Sequence, residues 1–303
     1  MMKRRQSPFF KNEGLAQAVF LLPAFLMFTA FIVYPAMTSL YYSMTDWNGI
    51  SREYNFVAFD NYLEMFRNKD IFSTIPVTIY YAALNTVLLL VVAFLVALAL
   101  NRASKITSFL RVSFFLPMLI SPMIVGFVFK EMYGPYISEG NMGTINRILE
   151  SLGLSSWMNN WLGNPSTAMI MVVITGVWYQ VGTNALVYLA NLQSIPEDLY
   201  DAAKIDGAGY WRQVYYITLK MMLPSITINA ILLLINSLKA YDMISILTAG
   251  GPGTATKVIN LSIVEYSITN YRVGLGCAMS MVVTAFVFIL VTAIQKLLSR
   301  WEA

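Results

Sequence analysis

Histidine is absent from the 303 residues, and cysteine occurs once, as Cys277. Without histidine there is no Ser-His-Asp relay, no imidazole base and no His-ligated zinc. Without a second cysteine there is no disulfide framework and no thiolate cluster for a metal. Phosphate loops are missing too: no Gly-x-x-x-x-Gly-Lys, no Gly-Lys dipeptide and no Gly-x-Gly-x-x-Gly occurs, so the usual loop for holding ATP is excluded. Charge is scarce, at 12% of residues against roughly a quarter in soluble domains. In its place stand hydrophobic side chains, 57% of the chain, with a mean hydropathy of +0.61. The length would permit about two soluble domains, but a soluble chain this apolar would display large greasy patches. No tandem repeat or low-complexity tract is present. The composition is that of a membrane protein with no catalytic residue set and no metal site, not of an enzyme acting alone.

The charge-free runs locate the membrane. They extend from Gly14 to Thr45, Ile71 to Asn101, Val112 to Phe129, Ser151 to Pro196, Met221 to Leu238 and Val273 to Gln295. A bilayer core needs about 20 apolar helical residues to cross it, and the cost of an unpaired backbone group in lipid enforces helix. The expected fold is therefore all-α: one transmembrane domain over 1–303 with six helices at about 16–40, 75–100, 108–130, 168–192, 223–247 and 273–297. Lys3, Arg4, Arg5 and Lys11 precede the first run. Its apolar stretch from Ala18 to Met37 exceeds a cleaved signal's core, so it is read as a retained anchor.

Six crossings put both termini on one side. With the termini inside, the internal segments (1–17, 101–111, 193–223 and 296–303) hold twelve of the twenty Lys and Arg in 67 residues. The outer loops (41–72, 131–167 and 249–271) hold five in 92 residues, and Arg272 directly follows the last of them. A bias of this sign places both termini in the cytoplasm. The formal net charge of +4 thus serves topology, and nucleic acid is not expected as a partner.

The one long internal segment, 193–223, does not read as a linker. Ser194 and Glu197 are spaced as a capping box, and Pro196 suits a first turn, so a short helix is expected over about 196–205 with a turn at Asp206-Gly207. A second helix then carries Trp211, Val214, Ile217 and Thr218 along the membrane face. Ala202, Ala203, Gly207, Ala208 and Gly209 cluster small side chains that admit another backbone. The segment is either a knob entering a partner's cleft or an ordinary surface helix–turn–helix, and composition alone does not separate the two.

Asp201-Ala-Ala-Lys-Ile-Asp206-Gly-Ala, followed by Ile217-Thr-Leu and then Pro224, resembles the Glu-Ala-Ala…Gly signature of ABC importer permeases. The variant is similar to the binding-protein-dependent carbohydrate permeases of the multiple sugar and glycerol-phosphate type. Ser43-Met-Thr-Asp-Trp47-Asn-Gly, Phe56-Val-Ala-Phe-Asp-Asn61-Tyr, Arg111-Val-Ser-Phe-Phe115-Leu-Pro, Tyr188-Leu-Ala-Asn-Leu-Gln193-Ser-Ile-Pro and Leu247-Thr-Ala-Gly-Gly251-Pro match that family in order over nearly the whole chain. The departures are Asp201 for the leading Glu, Val214 for the usual Phe, and Lys220 for a Pro, which lets the second helix run on towards Pro224. The resemblance implies that 196–209 is a coupling helix between helices 4 and 5, with Asp201, Ala202, Ala203, Asp206, Gly207 and Ala208 facing an ATPase. It implies two ATPase subunits, a second and different permease subunit, an extracytoplasmic solute-binding protein and a sugar substrate, in a bacterial or archaeal cytoplasmic membrane. No cofactor is bound by the chain itself, since ATP and Mg are used by the partner ATPase.

Polar groups within lipid usually face a cavity or another helix. At 100° per residue Ser225, Asn229 and Asn236 share one face, continued by Lys239, with Asp242 further round. Gln180, Asn184 and Asn191 form a second stripe. Amide rows suit hydroxyl-rich sugars, with Tyr179, Tyr188, Tyr241 and Trp178 available for stacking; the alternative is hydrogen bonding between helices. Lys239 and Asp242, three apart, can pair on a helix. Rival solutes on this scaffold are a glycerol phosphate or a polyol. An ion-coupled secondary transporter would need buried acids, and Asp242 is the only one inside an expected span.

Overall fold

The computed structural model describes residues 13–101, 105–134 and 142–298. Of the basic residues that set the expected orientation, Lys3, Arg4, Arg5, Lys11, Arg102 and Arg300 lie outside them. In chain order the helices are α1 (Glu13–Phe28), α2 (Tyr34–Tyr42), α3 (Asp60–Arg67), α4 (Lys69–Leu100), α5 (Lys105–Phe115), α6 (Pro122–Met132), α7 (Thr144–Ser151) and α8 (Pro165–Leu192). There follow α9 (Glu197–Ile205), α10 (Tyr210–Gln213), α11 (Leu219–Leu238), α12 (Asp242–Leu247), α13 (Ile259–Val264) and α14 (Val273–Leu298). Wide turns with i→i+5 spacing join α1 to α2 and α10 to α11 without ending the helix. The only β pairing among the described residues is an isolated antiparallel bridge between Thr45 and Phe56.

Five continuous helices are long and apolar enough to cross a membrane: Gln17–Tyr42, Lys69–Leu100, Pro165–Leu192, Tyr210–Leu238 and Val273–Lys296. The fold class read from the sequence, an all-helical membrane protein with six crossings, holds, with the sixth crossing present if a bent pair of helices counts as one span. Two helices differ from the expected limits. The run at 108–130 is broken: Ile106–Leu119 and Pro122–Met132 meet at 99°. Pro117 has no N–H to donate, and Pro122 pushes Ser121 into an extended conformation (ψ 136°), the restriction that a proline imposes on its predecessor. The helix expected over 223–247 stops at Leu238, and Tyr241 leaves helical geometry at φ −143° before α12 begins.

Asparagines set two of the long helices' starts. The Asn68 side chain accepts from Asp70 N at 3.0 Å, and that of Asn164 accepts from Ser166 N at 3.1 Å with Pro165 at the first helical position. Each satisfies an otherwise orphaned donor.

The described residues fall into two compact units, one within Met1–Arg67 and Ile263–Val283, the other within Asn68–Ser262 and Thr284–Ala303. In the first, the loop after α2 is held by side-chain bonds. Asn61 Nδ2 donates to the Ser43 and Thr45 carbonyls at 2.9 and 2.8 Å, and Asp46 accepts from the Asn55 N–H at 2.6 Å. Tyr42 stacks on Trp47 with centroids 4.1 Å apart. Arg272 grips Glu64 through two bonds of 2.5 Å. Gly274 is required here, because a Cβ would collide with the Thr45 carbonyl oxygen. In the second unit α4 lies against α8, with Leu89, Ala93 and Ala97 meeting Val172, Val173, Ala185 and Tyr188 in the core. Small residues on both helices let the backbones approach, as membrane helix pairs require.

Candidate functional site

Two places in the second unit carry the residues singled out in the sequence. The first is the 193–223 segment. α9 forms where expected, but the capping box does not. Pro196 itself takes the cap position (φ −58°, ψ 131°), so Ser194 lies too far back, and its hydroxyl donates to the Asn191 carbonyl at 2.7 Å instead. Past Ile205 the chain closes with Gly207 N donating to Lys204 O at 3.0 Å and Ala208 N to Ala203 O at 2.8 Å. This is the double bond of a helix end that needs a left-handed residue, and Gly207 supplies it at φ +76°. A Cβ at Gly207 or Gly209 would meet no atom within 4 Å.

Asp201, Ala202, Asp206 and Gly207 are exposed, while Ala203 and Ala208 are half-buried against the chain. The Asp201 carboxylate pairs with Lys204 Nζ at 2.9 Å, which raises the lysine's pKa above its ordinary value. The second helix is no separate surface element. It runs from Tyr210 through the wide turn Val214–Thr218 and past Pro224 into α11, with Val214 and Thr218 buried and Trp211 exposed.

The second place is a hollow of about 200 Å³ where α4, α8, the α6 start and the α11–α12 break converge. Gln180, Asn236 and Asp242 line it together with Tyr179 and Tyr241. The other candidates separate from these. Asn184 is 9% and Asn229 7% exposed, inside the helix packing; Asn184 Nδ2 donates to the Gln180 carbonyl at 2.9 Å. Asn191 bonds back to Val187 O at 2.8 Å. The Asn229 amide nitrogen and the Tyr188 hydroxyl are buried without a partner in hydrogen-bond geometry, although the two groups interact. Lys239 caps α11 and is exposed outside the lining. Among the described residues no ion pair joins it to Asp242, because the helix that would have set them one turn apart ends between them.

Asn85, not among the sequence candidates, is the notable addition. It lies in the hollow's wall at 2% exposure, with Nδ2 donating to Ser237 Oγ at 2.9 Å and Oδ1 unpartnered. Its signal was available, since it is the only amide between Ile71 and Leu100. Among the described residues no three Asp, Glu, Cys or His groups gather to hold a metal. The lining therefore offers amide, hydroxyl and phenol hydrogen-bonding groups and one carboxylate.

A family model described as "Binding-protein-dependent transport system inner membrane component" matches residues 90–302. The chain belongs to this family. It is accordingly a multi-pass membrane component of a transport system and not itself an enzyme. A trehalose/maltose transport system permease of Thermococcus litoralis is 33% identical over 92% of this chain and 91% of that protein. A diacetylchitobiose uptake system permease of Streptomyces coelicolor is 32% identical over 86% and 75%. In fold the chain matches a bacterial ABC transporter involved in import of the acidic polysaccharide alginate, with a TM-score of 0.82, 21% identity, and 98% and 99% of the two chains covered.

Proposed function

We propose that the chain is the transmembrane subunit of an ATP-driven, binding-protein-dependent sugar importer of a bacterial or archaeal cytoplasmic membrane. It forms, as one domain with both termini in the cytoplasm, half of the translocation pathway. A second, different permease supplies the other half, an extracytoplasmic solute-binding protein delivers the sugar, and two ATPase subunits bind ATP and Mg. The observation that carries this reading is the polar hollow at the α11–α12 break, in a chain whose relatives are permeases for trehalose, maltose and diacetylchitobiose. Gln180, Asn236 and Asn85 offer amides to sugar hydroxyls, and Tyr179 and Tyr241 offer faces. The lining includes Asp242 and neither Lys nor Arg, which favours a neutral sugar over a glycerol phosphate. Asp201, Ala202, Asp206 and Gly207 present the outward face of α9 to the ATPase, and closure of the ATPases moves α9 and with it the spans.

Ala202→Trp tests the coupling face, because Ala202 is exposed in regular helix and the substitution carries no backbone penalty. The expected result is loss of ATPase co-purification, or loss of hydrolysis stimulated by the binding protein, with the permease pair still assembled. Unchanged assembly and stimulation would remove α9 as the contact.

A further inference from the structure

On the side of α9 opposite the exposed Ala202 and Gly207 lies a second hollow, of about 240 Å³. Its walls come from the ends of α4 (Leu98, Asn101) and α8 (Leu192), from Tyr200 on α9, and from Gln213 and Val214 at the head of α11's helix. Across it runs one direct tie from α9 to that helix: the Tyr200 hydroxyl lies 3.0 Å from Thr218 Oγ1. Thr218 is 3% exposed and closes the wide turn, in which Leu219 N reaches back to Val214 O rather than to the Tyr215 carbonyl of a regular turn. A further bond, Gln213 Nε2 to the Ala208 carbonyl at 2.7 Å, fastens the end of the α9 turn to the same stretch.

Three facts bear on motion. A turn of i→i+5 spacing is a rare local widening that recurs at functional positions in helices. Interiors are close-packed, whereas the Tyr200 ring borders an open hollow into which it can shift without forcing its neighbours apart. Finally, Lys204, which also borders the hollow, bonds to Asp201 within α9 itself, whereas Tyr200 and Gln213 bond across the junction between α9 and the membrane helix.

We propose that Tyr200 and Thr218 form the joint that passes movement of α9 to α11, with the wide turn 214–218 as its flexible seat and the adjoining hollow as its clearance. Both are positioning residues: neither touches solute, and their effect reaches the Asn236 hollow through the length of α11. The inference rests on the proposed docking of α9 on an ATPase.

The test uses the whole complex, with Cys277→Ser and Asn236→Cys in this chain, and a water-soluble maleimide as probe. Labelling rates are compared without nucleotide and with ATP plus vanadate. The parent should show a change of about fivefold, and Tyr200→Phe and Thr218→Val should each abolish it, as expected when one net hydrogen bond sets the bias between two states. Thr218→Ser keeps the hydroxyl and should retain the change; Leu98→Phe, which fills the hollow from the opposite wall, should diminish it. ATPase subunits should co-purify with every variant and continue to hydrolyse ATP. If the nucleotide-dependent change persists in both Tyr200→Phe and Thr218→Val, the joint is refuted; it is equally refuted if those variants shed the ATPase, since their role would then be docking. A parent complex that shows no change at all overturns the coupling reading beneath it.

Discussion

Gly182 on α8 sits where no side chain fits. A Cβ built there would lie 2.7 Å from the Phe114 carbonyl carbon and deep inside contact with its oxygen, with the Phe115 ring at 3.2 Å. Ordinary contact begins near 3.4 Å, so Gly182→Ala must open the gap between α8 and α5 by about 0.7 Å at the carbon and more at the oxygen. The obstacle is backbone, which cannot swing aside as a side-chain tip can. Two effects compete. Alanine is the better helix former by about 1 kcal/mol, whereas overpacking a tight contact costs about 1–3 kcal/mol. With a carbonyl as the obstacle the upper half of that range applies, and a net loss of about 1–2 kcal/mol follows. Phe114 stands two residues before the Leu116–Leu119 turn that begins the 99° bend, so the displacement also tilts α6 and the Pro122 wall of the hollow that Asn236 lines. Thermal unfolding of the purified complex, followed by a dye that reacts with Cys277 as it becomes accessible, should show a midpoint lowered by several degrees. A midpoint unchanged or raised, the ordinary result of Gly→Ala in an unobstructed helix, would refute the packing argument.

In a Cys277→Ser background, a cysteine at position 236 should react with an aqueous maleimide and one at 229 should not. Asn236 is exposed in the hollow while Asn229 is 7% exposed among helices; equal reactivity would contradict the assignment. Arg272 holds the Glu64 carboxyl below its ordinary 4.5. A lowered folded value means that the pair stabilises above the unfolded pKa, and that the contribution disappears as pH falls below about 4.5 through the folded value. The partners are 44% and 35% exposed, so solvent screening limits the pair to about 0.5–1 kcal/mol. Glu64→Gln should lower the unfolding midpoint slightly at pH 7 and make no difference near pH 3, and a pH-independent difference would argue against the pair.

The helices were legible because a charge-free run in lipid has one backbone solution, and α4, α8 and α14 cover their expected limits, with the largest difference at the start of α4. The turn after α9 was equally plain, since Asp206-Gly207 followed by Ala208 is what a left-handed helix end requires. The capping box misled because Ser194 and Glu197 satisfy the spacing while Pro196 between them takes the cap itself. The amide stripes were half legible. Angular position on a helix gives a face but not what that face meets, so Asn229 and Asn236 shared a stripe and separated by depth. Asn85 was overlooked because it stands alone in an apolar run, where no row of amides marks it.

The two departures from straight helix have one physical meaning. Non-helical backbone at membrane depth leaves peptide groups that lipid cannot satisfy, and it is tolerated only inside protein or beside water. The bend at 116–122 announces itself by Pro117 and Pro122, whereas the interruption at 239–241 has neither Gly nor Pro to mark it. Yet Pro122 from one and Ala240, Tyr241 and Asp242 from the other border the same hollow. Interrupted helices surrounding a solute site are a recurring device of transporters. Here they explain why Asp242, costly in a continuous apolar span, is exposed at the opening of α12 instead, in its first turn, where the helix's positive end favours a carboxylate. A helix run through to Leu247 would have carried that charge on a continuous apolar span; ending it at Leu238 leaves Asp242 exposed and gives the hollow its acid.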